Sequence, residues 1–556
     1  MLRHTAVAGL ALLTTLTAAT PATAAGAPPP TATTTHDTAQ AAAGSSGAAQ
    51  TAGRSSAAQA AAGSNGAAQT AGRSGAAQAA AGSNGAAQTA GQSGAAQPAA
   101  GQSGAAQPAS GRSGAAQAVA GSSGGAQAAG QKAAAQAAAS GTVPSSALRL
   151  GRQTLAADDG WAAAGAGTTG GSAADDAHVA VARNRAELIA ALGGDAATNG
   201  QNATPKIVFV SGRIDLREGK SCDEFADPAY DLDAFLAAYD PAVWGRAAKP
   251  SGPLEDARVR SAKAQGEQVK INVGSNTTII GINGARLDHG SLVLTTVSNV
   301  IVRNVEVTDA ADCFPAWDPT DGSAGNWNSL YDLVSLSGAT NVWLDHNTFS
   351  DGNNHDRDQP LYFGRPYQVH DGATDFIRGS DLITVSWNDY YDHDKTMLIG
   401  STDTPGVDVG KLRVTVHHNR FGNVGQRAPR VRFGQVDVYD NLYVATDEDE
   451  YIYSLGVGVE SSIYAENNYF RLSADVPPAD VIAYWKGTRI TTRGNLVQVS
   501  GRTPQVVDLV GAYNEAYDPD LSPDAGWTPT FRTRLDPAWA VPALVAAGVG
   551  IRRLHR

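Results

Sequence analysis

Residues 413–444 read RVTVHHNRFGNVGQRAPRVRFGQVDVYDNLYV, and this stretch contains one pattern twice. In each copy apolar and polar residues alternate, and an asparagine then stands two residues before an aromatic side chain. Asn419 precedes Phe421 in this way, and Asn441 precedes Tyr443, 22 residues further along the chain. Alternation of this kind predicts short β-strands, and the short repeat predicts coils that stack on one another.

The pattern recurs throughout the segment from Val269 to Val497. Its asparagines are Asn304, Asn347, Asn388, Asn419, Asn441, Asn468 and Asn495. Their intervals of 43, 41, 31, 22, 27 and 27 residues suit a solenoid with insertions in its earlier coils. We expect each asparagine to stack its amide on that of the next coil and to satisfy buried backbone groups. A β-sandwich is the alternative, but it needs hairpin turns, and only Asn283-Gly284 is tightly flanked by two strands.

Two features outside the repeats complete the predicted solenoid. Residues Val179 to Leu192 read as a short strand followed by an amphipathic helix, which we expect to cap the N-terminal end. The unequal insertions of the earlier coils predict a cleft on one side, so the functional site should lie near them.

The N-terminal quarter of the chain has a different composition. Residues 1–24 are typical of a cleaved secretory signal, with an apolar run from Ala6 to Leu16 and the small-residue triplet Ala22-Thr23-Ala24. Residues 25–148 repeat units such as SGAAQTAGR and SGAAQPASGR, which lack core-forming side chains and predict a flexible tether. This tether is either a spacer or a low-complexity expansion without a partner. We therefore expect a secreted protein whose folded domain spans residues 149–556.

Net charge restricts the partners. Residues 1–148 hold five basic residues and one acidic residue, so the remainder carries a formal charge of −16. This charge argues against nucleic acid and against an anionic membrane surface, and no apolar run approaches the ~20 residues that span a bilayer. An acidic polysaccharide would also be repelled, unless cations gather locally or a bound metal reverses the field.

The two cysteines, Cys222 and Cys313, predict a disulfide because the chain is expected to leave the cytoplasm. Two free thiols or a metal site are the alternatives. We expect the protein to be a monomer.

A pair of carboxylates is the first candidate for chemistry. Asp371 and Asp375 are four residues apart, so in a straight strand their Cα atoms would be separated by about 13 Å. That distance is too long for both to bind one cation, and the chain would have to bend, which Gly372 permits. Two solvated loop acids are the alternative.

Basic residues follow the acidic pair. Lys395 stands just before an apolar strand, in HDKTMLIG, and residues 427–432 read RAPRVR. Three arginines within six residues should bind an anion, although a basic face paired with nearby acids is the alternative. Pro429 places the cluster at a strand entrance, because proline is excluded from central strand positions.

Four motifs now stand in order: NVWLDH at 341–346, VHDGATD at 369–375, HDKTMLIG at 393–400 and RAPRVR at 427–432. Together they resemble polysaccharide lyase family 1, the pectate lyases. Further similarity in SNTTIIGI, SNVIVRNV and YWKGTRITTRGN extends the resemblance over approximately residues 158–550. The resemblance implies an all-β fold, a right-handed parallel β-helix, with the active cleft along one sheet.

The resemblance also implies roles for individual residues. Matched by motif, Asp332, Asp371 and Asp375 would bind calcium, Lys395 and Arg432 would hold the substrate, and Arg427 would abstract the proton. Asp345 and His346 match a motif whose role looks mainly structural. Some members carry a further acid where this chain has Leu330, so the number of bound ions stays open, and Asp318 is a further candidate ligand.

The implied substrate is polygalacturonate, cleaved by β-elimination. The reaction removes the C5 proton next to the carboxylate and expels the C4 oxygen of the adjoining sugar. Calcium would neutralise the charge that develops there and would also resolve the repulsion between an acidic protein and an acidic polymer. Arginine is an awkward base because its pKa above about 12 keeps it protonated, so calcium and neighbouring cations would have to lower the pKa of Arg427.

Three other functions stay open at this point. A pectin lyase would act on methyl-esterified polymer without calcium, although the acids and Lys395 favour a charged substrate. A hydrolase on the same fold could use paired carboxylates, but the arginine cluster would then have no purpose. A non-catalytic β-helix that binds polysaccharide would leave the lysine and the arginines unexplained.

Overall fold

The structure is a computed structural model and describes residues 143–446, 450–532 and 534–554. Short runs of β-branched and aliphatic residues form most of its strands. The predicted export signal and the tether up to residue 142 lie outside the described residues. The strands are β1 (Val179–Ala182), β2 (Lys206–Asp215), β3 (Lys270–Asn272), β4 (Thr277–Asp288), β5 (Ser291–Thr295), β6 (Ser298–Arg303), β7 (Glu306–Thr308), β8 (Ala316–Asp318), β9 (Asn326–Asn328), β10 (Val334–Ser337), β11 (Thr340–Asp345), β12 (Thr348–Ser350), β13 (Leu361–Tyr362), β14 (Arg365–Pro366), β15 (Thr374–Ile377), β16 (Asp381–Ser386), β17 (Asp389–Lys395), β18 (Leu398–Ile399), β19 (Val414–His417), β20 (Arg420–Gln426), β21 (Arg430–Val431), β22 (Gln435–Tyr439), β23 (Leu442–Ala445), β24 (Leu455–Gly458), β25 (Ser462–Glu466), β26 (Tyr469–Leu472), β27 (Ile482–Trp485), β28 (Ile490–Arg493), β29 (Leu496–Val499) and β30 (Gln505–Val506).

Helices are few and lie mainly outside the repeats. The α-helices are α1 (Ser145–Gly151), α2 (Arg185–Leu192), α3 (Leu232–Tyr239), α4 (Pro253–Val269), α5 (Leu509–Ala516) and α6 (Val541–Gly548). The 3₁₀ helices are Trp161–Ala163, Asp176–His178, Asn199–Gln201, Asp356–Asp358 and Pro478–Val481. None of the helices in the described ranges combines the length and the apolar character needed to cross a membrane.

Each full coil contributes one strand to each of three parallel faces. One face is an eight-stranded sheet in the order β3-β5-β10-β15-β18-β21-β24-β27, called the site sheet below. The other two faces are the ladders β6-β11-β16-β19-β22-β25-β28 and β7-β12-β17-β20-β23-β26-β29, which join through the long strand β4. The fold is the right-handed parallel β-helix that was expected. Among the described residues, antiparallel pairing occurs in the strand pairs β8–β9, β13–β14 and β29–β30 and in one isolated bridge between Gly458 and Lys486.

An asparagine ladder runs along the coils, as predicted. The ladder consists of six fully buried asparagines, and each of the first five donates an amide N–H to the amide oxygen of the next at 3.0–3.1 Å: Asn347, Asn388, Asn419, Asn441, Asn468 and Asn495. The prediction that Asn304 belongs to this ladder was wrong. Asn304 lies one residue before the ladder position of its coil, with a φ of 56°. Its amide donates to the carbonyl of Gly281 at 2.7 Å, and Val305 takes the ladder position, donating its backbone N–H to Asn347.

The interior also contains a stack of aromatic rings. Phe349, Tyr390, Phe421, Tyr443 and Phe470 come from successive coils, with ring centroids 4.5–5.1 Å apart. These aromatic positions follow the repeat asparagines by two residues, which explains the sequence pattern: one polar and one aromatic ladder run side by side, and both need the same register in every coil.

Helices cover the two ends of the core. At the N-terminal end, where a cap was expected, Leu188 and Leu192 of α2 belong to the same buried core as Val208 of β2. At the C-terminal end, Leu509 and Tyr513 of α5 join the same core. Helix α1 begins at Ser145, slightly before the expected domain boundary at residue 149, and buries Ala147 in a cluster with Phe209.

The predicted disulfide between Cys222 and Cys313 is present. It joins the segment after β2 to the segment after β7, which precedes the site residues, and leaves no free cysteine in the described part of the chain.

Candidate active site

The three acids that were expected to bind calcium gather at one point of the site sheet. Asp375 is the second residue of β15, Asp371 lies three residues before that strand, and Asp332 lies two residues before β10. Strands β10 and β15 are parallel neighbours, with Ser335 opposite Asp375. All three carboxylates are buried. Because the segments that enter neighbouring strands lie side by side, residues 43 positions apart in the chain share one site.

The chain bends at Ala373, directly after Gly372, and Asp371 and Asp375 lie close enough to repel each other. The backbone N–H of Gly372 donates to Asp332 at 3.0 Å, and a Cβ atom at this position would lie 2.3 Å from the carboxylate oxygen of Asp375. Any other residue would therefore displace the carboxylate. The backbone N–H of Leu398 holds Asp375 from the next coil at 2.9 Å.

Burial and mutual repulsion dominate the electrostatics of this acid cluster. Burial and the charge of Asp371 raise the pKa of Asp332 to about 7, against the hydrogen bonds from Ser335 and Gly372. Burial and the charges of Asp332 and Asp371 raise the pKa of Asp375 well above its ordinary value. Such crowding of like charge in a buried place is costly unless a cation is bound there.

Lys395 lies beside the cluster, at the end of β17. Its backbone pairs with Gly372, and its ammonium nitrogen lies 3.2 Å from a carboxylate oxygen of Asp371. On its other side Lys395 pairs with Gln426, the last residue of β20. Arg427 follows Gln426 directly, so the lysine and the arginine approach the acids from consecutive coils.

Arg427 adopts the left-handed backbone conformation, with a φ of 58°, just before the cis peptide bond between Ala428 and Pro429. Its Nε and Nη1 atoms are buried and have no hydrogen-bond partner among the described residues. Burial lowers the pKa of Arg427, but Tyr453 and the carboxylates of Asp371 and Asp375 outweigh it, so its pKa lies above the ordinary value. A lower pKa would require compensation of the carboxylate charge.

Arg432 lies further along the site sheet and is fully buried. Its Nε donates to Asp403 at 2.6 Å and its Nη1 to the carbonyl of Gly400 at 2.8 Å, while Nη2 has no partner among the described residues. Asp403 also pairs with Lys486 at 2.8 Å. The structure thus places Arg432 near Arg427 but outside the acid cluster, and leaves one of its nitrogen atoms available.

Sequence reasoning missed Arg430 and its surroundings. The guanidinium of Arg430 is buried and lies 3.5 Å from the ring centroid of Trp485. Burial and the charge of Arg432 hold the pKa of Arg430 well below its ordinary value. Trp485 belongs to the second coil after Arg430, so no local sequence signal joins the two residues.

Asp321 is a second residue that was missed. Burial and the charge of Asp318 raise the pKa of Asp321 to about 6, while Lys395 and Arg365 oppose the shift. Asp318, the further calcium candidate, is held by Lys249 at 2.9 Å and by Thr320. The segment WDPTDG contains both acids, and only the fold distinguishes the one near Lys395.

Asp345 and His346 belong to a different network. The carboxylate of Asp345 binds Arg303 at 2.7 Å, His346 at 2.8 Å and Ser386 at 2.8 Å. Burial raises the pKa of Asp345, but the charges of His346 and Arg303 outweigh burial and lower this pKa to about 2. These contacts tie three coils together, in agreement with a structural role.

Fold and site together define a class of protein: a parallel β-helix enzyme with a buried acid cluster, flanked by lysine and arginine, that is suited to an anionic polymer. Comparison with known proteins agrees. Residues 251–517 match a family model described as pectate lyase. A pectate lyase of Bacillus subtilis (strain 168) is 41% identical over 420 residues, covering 74% of this chain and 96% of that protein. Pectate lyase D of Dickeya chrysanthemi is 36% identical, covering 67% and 86%.

Solved structures give the same result. A thermostable pectate lyase is 46% identical, with a TM-score of 0.71, over 73% of this chain and 100% of that chain. A pectate lyase bound to a hexasaccharide is 42% identical, with a TM-score of 0.68, over the same shares. This chain belongs to the pectate lyase family and is therefore a polysaccharide lyase.

Proposed function

We propose that this protein is a secreted pectate lyase that cleaves α-1,4-linked polygalacturonate by calcium-dependent β-elimination and releases unsaturated oligogalacturonides. The observation that carries the proposal is the meeting of three buried carboxylates with Lys395 and Arg427 on one face of the solenoid. Relatives named pectate lyase, among them one bound to a hexasaccharide, support the same activity.

The acid cluster has the composition of a calcium site. Asp332, Asp371 and Asp375 would hold the ion, because calcium prefers oxygen ligands and these three acids offer carboxylate oxygens only. The raised pKa values of Asp332 and Asp375 reflect negative charge that the protein alone does not compensate. When bound, calcium supplies positive charge to the galacturonate carboxylate and thereby acidifies the C5 proton.

The basic residues would supply the rest of the reaction. Lys395, 3.2 Å from Asp371, would bind the substrate carboxylate, and Arg432 would add a second cationic contact through its free nitrogen. Arg427 would accept the C5 proton in its neutral form, and its Nε and Nη1 atoms have no hydrogen-bond partner among the described residues. The electron pair of the C5–H bond would form the C4–C5 double bond, and the C4–O bond would break with protonation of the departing oxygen.

The ultraviolet absorbance of the unsaturated product tests the proposal. Full-length wild type and Arg427→Lys are incubated with polygalacturonate, with calcium or with a chelator, and Arg471→Lys, an exposed arginine on β26, serves as the matched control. We expect a calcium-dependent rise in the wild type and in the control. Arg427→Lys should lose about 10²–10⁴-fold in kcat, the usual range for a positioned acid–base group.

Two outcomes would contradict the proposal. Undiminished cleavage of highly esterified pectin in chelator would identify a pectin lyase, and binding of polygalacturonate without any rise in absorbance would identify a non-catalytic β-helix. Equal rates for Arg427→Lys and the control would remove Arg427 from the reaction while leaving the activity itself intact.

Export and monomeric state belong to the same proposal. The apolar run before Ala22-Thr23-Ala24 supports export. Terminal sequencing of the protein recovered from the growth medium would test it, and a mature chain that still begins at Met1 would contradict it. Sedimentation at micromolar concentration would test the monomer.

A further inference from the structure

A second cluster of ionisable side chains lies behind the active site and has no part in the proposed reaction. It comprises Asp351 after β12, Asp356 at the start of a 3₁₀ helix, and His370 before β15. One ligand atom from each of the three lies within 4.8 Å of the others. Asp351 and His370 are each about 98% buried, with only 2% of their surface exposed.

The imidazole of His370 has one nitrogen fixed and the other unused. Its Nε2 lies 3.1 Å from a carboxylate oxygen of Asp309. Its Nδ1 is buried and has no hydrogen-bond partner among the described residues, and neither has the Oδ2 of Asp356. Because a neutral imidazole that donates from Nε2 carries its lone pair on Nδ1, the unused atom is a ligand atom.

Distances around Nδ1 leave room for a metal ion. The atom lies 3.4 Å from Oδ1 of Asp356 and 3.6 Å from Oδ2 of Asp351. Both distances are too long for a good N–H···O hydrogen bond. In a tetrahedral zinc site with bonds of about 2.0–2.2 Å, neighbouring ligand atoms are about 3.3–3.5 Å apart. Nδ1 of His370 therefore already lies from both carboxylates at about the separation that ligands of a small divalent ion have.

Each candidate ligand is held from behind, as metal ligands usually are. Asp309 fixes His370, and His393 holds the second oxygen of Asp351 at 2.5 Å. Backbone N–H groups of Val369 and His370 donate to Asp356 at 2.8 and 3.2 Å. This arrangement differs from a surface acidic cluster, in which the carboxylates face water.

We propose that Asp351, Asp356 and His370 form a second metal site, specific for a divalent ion of the zinc type and distinct from the acid cluster of the active site. One imidazole with two carboxylates suits zinc, whereas calcium takes six to eight oxygen ligands. The ion pairs of His370 in the described part of the chain are with Asp309, Asp351 and Asp356, and none involves the active-site acids.

The site has a structural task. It joins the insertion between β12 and β15 to the coil that carries the active-site acids, since His370 directly precedes Asp371. His393, which holds Asp351, also lies 3.2 Å from the carbonyl of Lys395. An ion bound here would fix the backbone at both residues without contacting the substrate.

Calorimetric titration of the metal-free full-length protein with zinc, at saturating calcium, tests the proposal. We expect one zinc ion per chain with a dissociation constant in the micromolar range or below, and a rise in Tm. Asp356→Asn should weaken zinc binding at least 100-fold. Asp358→Asn, an exposed acid in the same 3₁₀ helix, should bind zinc like the wild type.

Cobalt provides a second readout that does not depend on the folding of any variant. The wild-type protein loaded with one Co²⁺ should show the intense visible bands of a four- or five-coordinate ion, and zinc should displace them. Absence of zinc binding at saturating calcium, equal affinity in Asp356→Asn and Asp358→Asn, or the weak spectrum of octahedral cobalt would each overturn the proposal.

Discussion

Replacement of Asp332 by asparagine should stabilise the protein when metal is absent. A carboxyl group whose pKa is about 7 in the folded chain, against an ordinary 3.8, binds more protons folded than unfolded between these values. Its contribution to stability is therefore intact at low pH and is lost as pH rises through the folded pKa. The difference amounts to about 4 kcal/mol at pH 8 and above. Asparagine keeps the shape and the oxygen that accepts from Gly372.

Calcium should narrow this difference in stability. A ligand at 100 times its dissociation constant stabilises the folded state by about 2.7 kcal/mol, and the wild type should gain this stabilisation at lower calcium concentration than Asp332→Asn, which lacks one carboxylate ligand. Denaturant unfolding at pH 5, 7 and 9, in chelator and in calcium, measures both effects. In chelator the advantage of the variant should be largest at pH 9 and should shrink toward zero near pH 4.

Asp345→Asn is the matched control, because Asp345 is equally buried but has its pKa lowered to about 2. A lowered carboxyl pKa contributes stability above the unfolded value, so this variant should lose about 2 kcal/mol at neutral pH, with calcium or without it. The reasoning is refuted if Asp332→Asn is less stable than the wild type in chelator at pH 9, or if its advantage does not change with pH.

Three further predictions concern single features. Asn419→Ala leaves several buried ladder groups without partners, each costing about 1–3 kcal/mol, so we expect denaturant unfolding to show a loss of about 3–6 kcal/mol in the free energy of unfolding. Asn495→Ala, at the end of the ladder, should cost less. Equal losses in the two variants would contradict the ladder argument. The Cys222–Cys313 disulfide closes a loop across 91 residues. Its reduction should lower the free energy of unfolding by about 4–5 kcal/mol in the chain-entropy model. An unchanged unfolding midpoint in reductant would contradict this prediction. Lys395→Ala should raise KM for polygalacturonate at least tenfold in steady-state absorbance assays, because Asp371 loses its cationic neighbour and the substrate carboxylate loses a contact. An unchanged KM would show that Lys395 does not bind the substrate.

The sequence by itself determined the repeat and its chemistry. Strand alternation and recurring asparagines predicted stacked coils, because a parallel solenoid presents the same environment once per coil. The prediction of Asn304 as a ladder residue was wrong for a related reason. An asparagine after an alternating strand looks the same whether it occupies the ladder position or the preceding left-handed position, and only the register with the next coil distinguishes them.

The sequence also indicated which charged residues stand near the site, but the tertiary structure decided how they are used. Motifs identified the acids, and the bend at Ala373 and the pairing of β10 with β15 then brought them together. The local sequence could not predict the ion pair of Arg432 with Asp403, because the two residues are 29 positions apart and meet only when neighbouring coils stack.

Sequence reasoning did not identify the cluster of Asp351, Asp356 and His370, for the same physical reason. Asp351 follows β12, Asp356 begins a 3₁₀ helix and His370 lies in the irregular segment before β15, so their separation in the chain carries no metal-binding pattern. Local sequence fixes backbone propensity and side-chain type, whereas the distance between two side chains from different coils depends on strand register and on burial, which exist only in the folded molecule.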